Sequence, residues 1–211
     1  MSLALTREDA LCLQECVAAG GVAVFPSDTV YGVCCDPENH DAARRMYQLK
    51  GRPAARSCAV MFFELSCALD RLEDLTDAER LALEVLLPGP LTLLVANRSQ
   101  RFAAACRNDP WTLGLRVPRL PEAIVELARV ELPVMQSSAN LSGEPDARSL
   151  QEVPQSLLEG ADLVLDGGEL PGRPSTVVDL RDFEEERRWH VLREGALGRD
   201  SVQQMLAPLA A

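Results

Sequence analysis

The chain has 211 residues, 47% hydrophobic and 25% charged, and its 21 basic against 32 acidic side chains leave a net charge of −11. Such a chain fits one large or two small globular domains and buries roughly 70% of its unfolded surface, with no need of a metal or disulfide to stay folded. Its longest apolar stretch, Val17 to Phe25, falls far short of the ~20 residues that cross a bilayer. The start, with Arg7, Glu8 and Asp9, lacks the basic and apolar pattern of a secretion signal, so no membrane partner and a cytoplasmic location are expected.

In chain order, Thr6-Arg7-Glu8-Asp9 reads as a capping box with Asp in the acceptor position, and Ala10, Leu13, Cys16 and Val17 follow at helical spacing until Gly20-Gly21. Val22 to Phe25 is a short strand halted by Pro26, and Ser27 to Gly32 reads as a polar loop. Asp41 opens a second helix with Ala42, Met46 and Leu49 inward, ended by Gly51 and Pro53 just where Lys50 and Arg52 appear. Further strands are expected at 58–62, 91–96, 113–117, 134–136, 163–166, 176–180 and 190–193. Helices are expected from Thr76 to Leu87, Pro121 to Arg129, Ser149 to Leu158 and Ser201 to Leu206. Strands alternating with helices indicate an α/β domain, and no repeat, linker or domain boundary interrupts the pattern.

Seven cysteines, mostly in apolar surroundings and never spaced C-x-x-C, read as reduced, buried hydrophobes. Cys34-Cys35 reads as a strand end with one residue buried. The two histidines, His40 and His190, lie in polar segments far apart in sequence, which speaks against a zinc site or a hydrolase triad and for surface positions. No Walker A or G-x-G-x-x-G motif occurs.

Of the 21 basic residues only Lys50 is a lysine, and the run from Ala42 to Phe63 holds Arg44, Arg45, Lys50, Arg52 and Arg56 without one acid. In so acidic a chain this is a local anion-binding signal. Three loops follow predicted strands and concentrate hydroxyl and amide groups: 27–32, Gln136 to Gly143, and Gly172 to Thr176. Each could also be an ordinary turn. Together with the cationic run they suit a phosphorylated ligand, gripped by guanidinium forks and oriented by Ser and Asn donors.

The segments FPSDTVYG (25–32), LKGRP (49–53), PGPLTLL (88–94), TLGLRVP (112–118), SSANLSGEP (137–145), STVVDL (175–180) and LREG (192–195) resemble, in order, those of the YrdC-like threonylcarbamoyl-adenylate synthases. The resemblance implies a single domain over 1–211 with the family core at about 22–195, a twisted, open mixed sheet flanked by helices around a deep cleft. It implies a synthase that joins L-threonine, bicarbonate and ATP into threonylcarbamoyl-AMP with release of pyrophosphate, Mg²⁺ accompanying the phosphates. A downstream tRNA threonylcarbamoyl transferase complex would use the product, and weak binding of tRNA itself belongs to the same expectation. By the matching motifs, Lys50, Arg52, Ser138 and Asn140 are assigned to the nucleotide and the transferring phosphate. Arg56, Thr112 and Arg193 are assigned to the ATP side, and Thr29, Tyr31, Arg116 and Ser175 to threonine, with Arg116 forking its carboxylate. No residue is assigned to a metal.

Three positions depart from the family pattern: Met61 stands where many members have histidine, Pro174 where many have glutamate, and Asp146 where serine is frequent. They leave open a paralogue that makes a different carbamoyl-adenylate. A non-catalytic RNA-binding module is the other alternative, opposed by the net charge and by the absence of a recognised RNA-binding motif.

Overall fold

Thr6 starts the first helix through a reciprocal capping box: its side chain accepts from the Asp9 N–H, and the Asp9 carboxylate accepts from the Thr6 N–H at 2.7 Å. The computed structural model describes residues 4–209 with the exception of Ala54. Helix α1 (Arg7–Ala18) buries Ala10, Leu13 and Val17, and Gly20, at φ +79°, turns the chain into the sheet. Strands β1 (Ala23–Pro26) and β2 (Tyr31–Cys35) form a hairpin in which Pro26 pairs with Tyr31, so the loop is only 27–30. The sequence reading carried that loop on to Gly32 because YGVCC shows no alternation. Every residue of β2 is buried, since both faces of this strand are covered, and such strands carry no period-two pattern. Cys34 and Cys35 are both fully buried, where one was expected.

Asn39 caps α2 (His40–Leu49) by accepting from the Asp41 and Ala42 N–H groups. There follow β3 (Ala59–Met61), α3 (Leu65–Arg71), α4 (Asp77–Leu86), β4 (Leu91–Ala96), α5 (Ala103–Cys106) and β5 (Thr112–Arg116). The remainder comprises β6 (Val134–Ser138), α6 (Gln155–Gly160), β7 (Leu163–Val164), β8 (Thr176–Asp179), α7 (Phe183–Glu186), β9 (His190–Arg193) and α8 (Arg199–Leu206). Thr76 and Glu79 make the expected capping box of α4. Glu122–Arg129 is 3₁₀ helix with a non-helical Ile124 in place of the expected α-helix. Pro154 divides the expected helix from Ser149 into a short 3₁₀ turn and α6, because a proline has no N–H to continue a ladder. The short α3, α5 and α7 had no anticipated pattern.

The nine strands form one mixed sheet in the order β7-β1-β2-β6-β3-β5-β4-β8-β9. Alternate side chains divide between two layers. Ala23, Phe25, Cys34 and Met61 pack with α1 and the 3₁₀ segment, while Val24, Val33, Val60 and Phe62 pack with residues of α2, α4 and α8. The result is a single α/β domain with helices on both faces of the sheet. Among the described residues no helix is long and apolar enough to cross a membrane. Both histidines are exposed.

Candidate active site

Gly51 adopts φ +56°, a left-handed turn directly after α2 that a side-chain-bearing residue enters only with strain. The chain reverses there, and the Lys50 side chain runs inward beneath the loop after β6. Its ammonium, 1% exposed, donates to the carbonyl of Ser138, to the carbonyl of Asn140 at 2.7 Å and to Asn140 Oδ1 at 3.0 Å. The Lys50 carbonyl accepts from the Ser142 N–H at 3.0 Å, so one residue clamps the loop from both ends. Ser138 Oγ donates to Asn140 Oδ1 at 2.7 Å, and Asn140 Nδ2 donates to the Glu144 carbonyl. Burial first, and then the neighbouring Arg52, push the Lys50 pKa down to about 8. The three oxygens around it favour the charged form, and at neutral pH it is an ammonium.

Arg52 reaches the same loop from the open side. Its Nη2 donates to the Ser57 carbonyl at 2.7 Å, Nη1 approaches Ser137 Oγ at 3.5 Å, and its buried Nε has no protein acceptor. Lys50 and Arg52 thus address the end of β6 and the loop that follows it, and not separate faces of the molecule.

Across the cleft Arg116, at the end of β5, is buried. Its Nη2 donates to Asp28 Oδ1 at 2.7 Å and to Thr29 Oγ1 at 3.2 Å, and both partners of the ion pair have side chains only 4% exposed. Asp28 Oδ2 also accepts from the Arg119 N–H at 3.1 Å. Burial raises the Asp28 pKa above the ordinary carboxylate value although Arg116 and the Arg119 N–H pull it down. One arm of the Arg116 fork is therefore already held by the protein, which corrects the expectation of a free bidentate fork. Its Nε is buried without a partner. A third wall comes from β8, β9 and β4: Arg193 Nη2 donates to the Ser175 carbonyl at 2.8 Å, and Ser175 Oγ lies 2.8 Å from Thr92 Oγ1. Gly195 fits here because a Cβ would collide with the backbone of Pro174 and Ser175.

These walls line an open cleft of about 200 Å³. Of the predicted site residues Arg52, Arg116, Ser138, Ser175 and Arg193 line it, with Ser137 beside them. Lys50, Asn140 and Thr29 stand behind the lining and hold it in place. Thr112 lines an adjoining pocket with Ser57 and Thr92, its hydroxyl accepting from Arg181 at 3.2 Å. Two assignments are not brought to the cleft. The Tyr31 side chain is fully buried, with its hydroxyl 3.0 Å from Asp166 Oδ1 and 2.8 Å from the Gly168 carbonyl, where it fixes the turn after β7. Arg56 is exposed and is engaged through its backbone: its N–H donates to the Pro53 carbonyl at 3.1 Å and its carbonyl accepts from the Tyr47 hydroxyl. The cationic run also divides, since Arg44 pairs with Asp41 and Arg45 with Asp162.

Sequence reasoning did not single out Asp28, Thr92 or Ser57. Thr92 carried a signal, as the one hydroxyl in an otherwise apolar β4 whose side chains alternate between buried and half-exposed. Among the described residues Asp146 is the only carboxylate that lines the cleft, and no cluster of three metal-ligating side chains occurs. This donor set fits a magnesium ion that arrives on phosphate oxygens and meets one carboxylate, which is how Mg²⁺ is commonly held.

Residues 15–195 match the family model of the Sua5, YciO and YrdC proteins, described as telomere recombination. A threonylcarbamoyl-AMP synthase of Pseudomonas aeruginosa (strain UCBPP-PA14) is 35% identical over 173 residues, which cover 81% of this chain and 92% of that protein. Among solved structures, E. coli YciO superposes with a TM-score of 0.76 at 26% identity, covering 92% of each chain. P. abyssi Sua5 complexed with L-threonine gives a TM-score of 0.82 at 25% identity, over 96% of this chain and 58% of that one.

Proposed function

Because the chain belongs to the Sua5/YciO/YrdC family, we propose that its cleft joins L-threonine, bicarbonate and ATP into threonylcarbamoyl-AMP. It is an enzyme, a nucleotidyltransferase acting in tRNA modification, and ATP is its substrate. The observation that carries the reading is the convergence of Arg52, Arg193 and Arg116 with the Ser137–Asn140 loop on one cleft, the loop being clamped by the buried Lys50 ammonium.

Bicarbonate gives up hydroxide to form carbon dioxide, the threonine amine, as the free base, adds to its carbon, and the proton the nitrogen then loses leaves with the hydroxide as water, giving a carbamate. A carbamate oxygen then attacks the α-phosphorus of ATP. The bond from that phosphorus to the bridging oxygen breaks, and pyrophosphate leaves with the electron pair. Such a transfer depends mainly on positioning and on neutralising the charge of the phosphoryl oxygens. Arg52, with its unpartnered Nε and a weakly engaged Nη1, supplies donors on the phosphate side, and Arg193 faces it from β9. Ser138 orients a phosphate oxygen. Arg116, with Nη1 left over from its pair with Asp28, receives the threonine carboxylate beside Ser175. Asp146 would hold one face of a magnesium ion, which when bound supplies charge neutralisation on the phosphates. A separate transferase then moves the threonylcarbamoyl group to an adenosine of tRNA.

Pro174 and Asp146, both in the cleft lining, favour a second reading in which a different amine enters the same reaction. Pyrophosphate release from ATP and bicarbonate, compared across the amino acids, separates the two. Threonine should stimulate most, and Arg52→Ala should remove the stimulation. Stimulation by another amine alone would transfer the function to the second reading, and no release with any amine would overturn both.

A further inference from the structure

On the other side of Arg52 from the cleft lies a second hollow of about 500 Å³, lined among others by His40, Arg44, Tyr47, Arg52 and Arg107. Three arginines line it, and among the described residues no carboxylate does, in a chain whose net charge is −11. Arg107 follows α5 at φ +56°, ψ −115°, a conformation costly for a residue with a side chain. From it the guanidinium carbon sits 4.1 Å from the centre of the Tyr47 ring, while that of Arg52 lies 5.9 Å from the same ring. Both arginines have a buried Nε without an acceptor. Tyr47 is itself fixed, its hydroxyl donating to the Arg56 carbonyl and accepting from Cys58 Sγ. The third cation, Arg44, pairs with Asp41 at 2.9 Å, but these side chains are 67% and 84% exposed. A pair so open to water contributes little and is readily exchanged for a stronger anion.

Strained backbone, two cations gathered at one aromatic ring and a third in a lining without a carboxylate among the described residues amount to a site short of an anion. We propose that this hollow is a second phosphate site, which takes inorganic pyrophosphate as it leaves the cleft across Arg52. The proposal rests on the adenylate-forming reading, which makes pyrophosphate the product. Planar forks match the paired terminal oxygens of such an anion, and Arg52, shared by cleft and hollow, gives a path on which the anion is never without a cation.

Calorimetric titration of the full chain with pyrophosphate tests it, with AMP as a probe of the cleft alone. The wild type should bind two equivalents of pyrophosphate. Arg107→Gln and Arg44→Gln should each weaken the second by about tenfold, while AMP binds as before. Arg44 is exposed, so its variant keeps the test readable even if Arg107→Gln fails to fold. A single equivalent in the wild type, or two with unchanged affinities in both variants, would overturn the proposal. So would variants that lose affinity for a short RNA duplex yet keep both pyrophosphate equivalents, which would assign the hollow to phosphodiesters. The titration needs no turnover. Absence of pyrophosphate release with threonine would therefore sink the adenylate reading while these binding data still decide on the hollow.

Discussion

Two cations are buried in the walls of the cleft, and the protein satisfies them in opposite ways. Lys50 is surrounded by two carbonyls and an amide oxygen, all neutral, so its charge survives into the cleft next to that of Arg52. Arg116 is matched by a carboxylate, Asp28, and the pair is close to neutral overall. A wall with net positive charge suits the polyanionic end of a nucleotide. A wall whose cation is half used suits one carboxylate of a small zwitterion. On the proposed function the difference gives the two ends of the cleft different tasks, and it also says where each wall is fragile.

The neutral wall should break hardest. Asp28→Asn leaves Arg116 buried without a counter-charge, and thermal or urea unfolding should show a loss of about 3–5 kcal/mol. Asp28→Asn combined with Arg116→Met removes the orphaned charge as well and should recover most of that stability without recovering stimulation by threonine. Equal losses in the single and double variants would mean that the pair does not act as a unit. On the positive wall Arg52→Ala should leave unfolding nearly unchanged but slow pyrophosphate release by about 100-fold or more, the usual size of effect for a lost donor to developing charge. A KM increase with unchanged kcat would place Arg52 in ground-state binding alone.

Lys50 marks the contrast through pH. Its pKa in the folded chain, about 8, lies below the ordinary lysine value of 10.5, so between these the unfolded chain binds more protons than the folded one. Stability therefore rises with pH across that window, and the contribution present above 10.5 is lost as pH falls through 8. The swing is on the order of 3 kcal/mol. Urea unfolding of the wild type across pH 8–10 should show the rise, and Lys50→Met should flatten it. A rise of the same size in the variant would trace it to other groups.

The strands and the capping boxes were legible because they rest on local chemistry: Thr6 with Asp9, Thr76 with Glu79, and β-rich runs bounded by glycine and proline. β2 escaped as a strand because burial on both faces erases alternation, and the helix from Ser149 was overestimated because Pro154 weighs more than the apolar spacing around it. At the site, the isolated lysine read as part of an anion-binding run, and in the structure its ammonium donates to three separate oxygens of Ser138 and Asn140. Tyr31 and Arg56 show the limit of motif reading. A motif gives the position of a residue in the chain, but whether its side chain enters the cleft is set by tertiary packing, here the turn at Asp166–Gly168 for Tyr31. Asp28 was hidden for the same reason, as its partner Arg116 lies 88 residues away.

The smallest effect should come from Asp146, the one acid in the lining and a residue that exerts a favourable field on the Lys50 ammonium. Replacing it by serine leaves the positive wall intact and takes away the carboxylate that would meet magnesium. The cleft becomes more positive, so the phosphates bind at least as well without the metal, whereas the metal loses a ligand. The half-saturating Mg²⁺ concentration for pyrophosphate release should rise by about two- to fivefold, the worth of one partly exposed charge contact, with affinity for metal-free ATP equal or slightly improved. If the Mg²⁺ requirement stays fixed while the preference among amino acids changes, Asp146 belongs to amine selection, and the division of the cleft into a phosphate wall and an amino acid wall has to be redrawn around it.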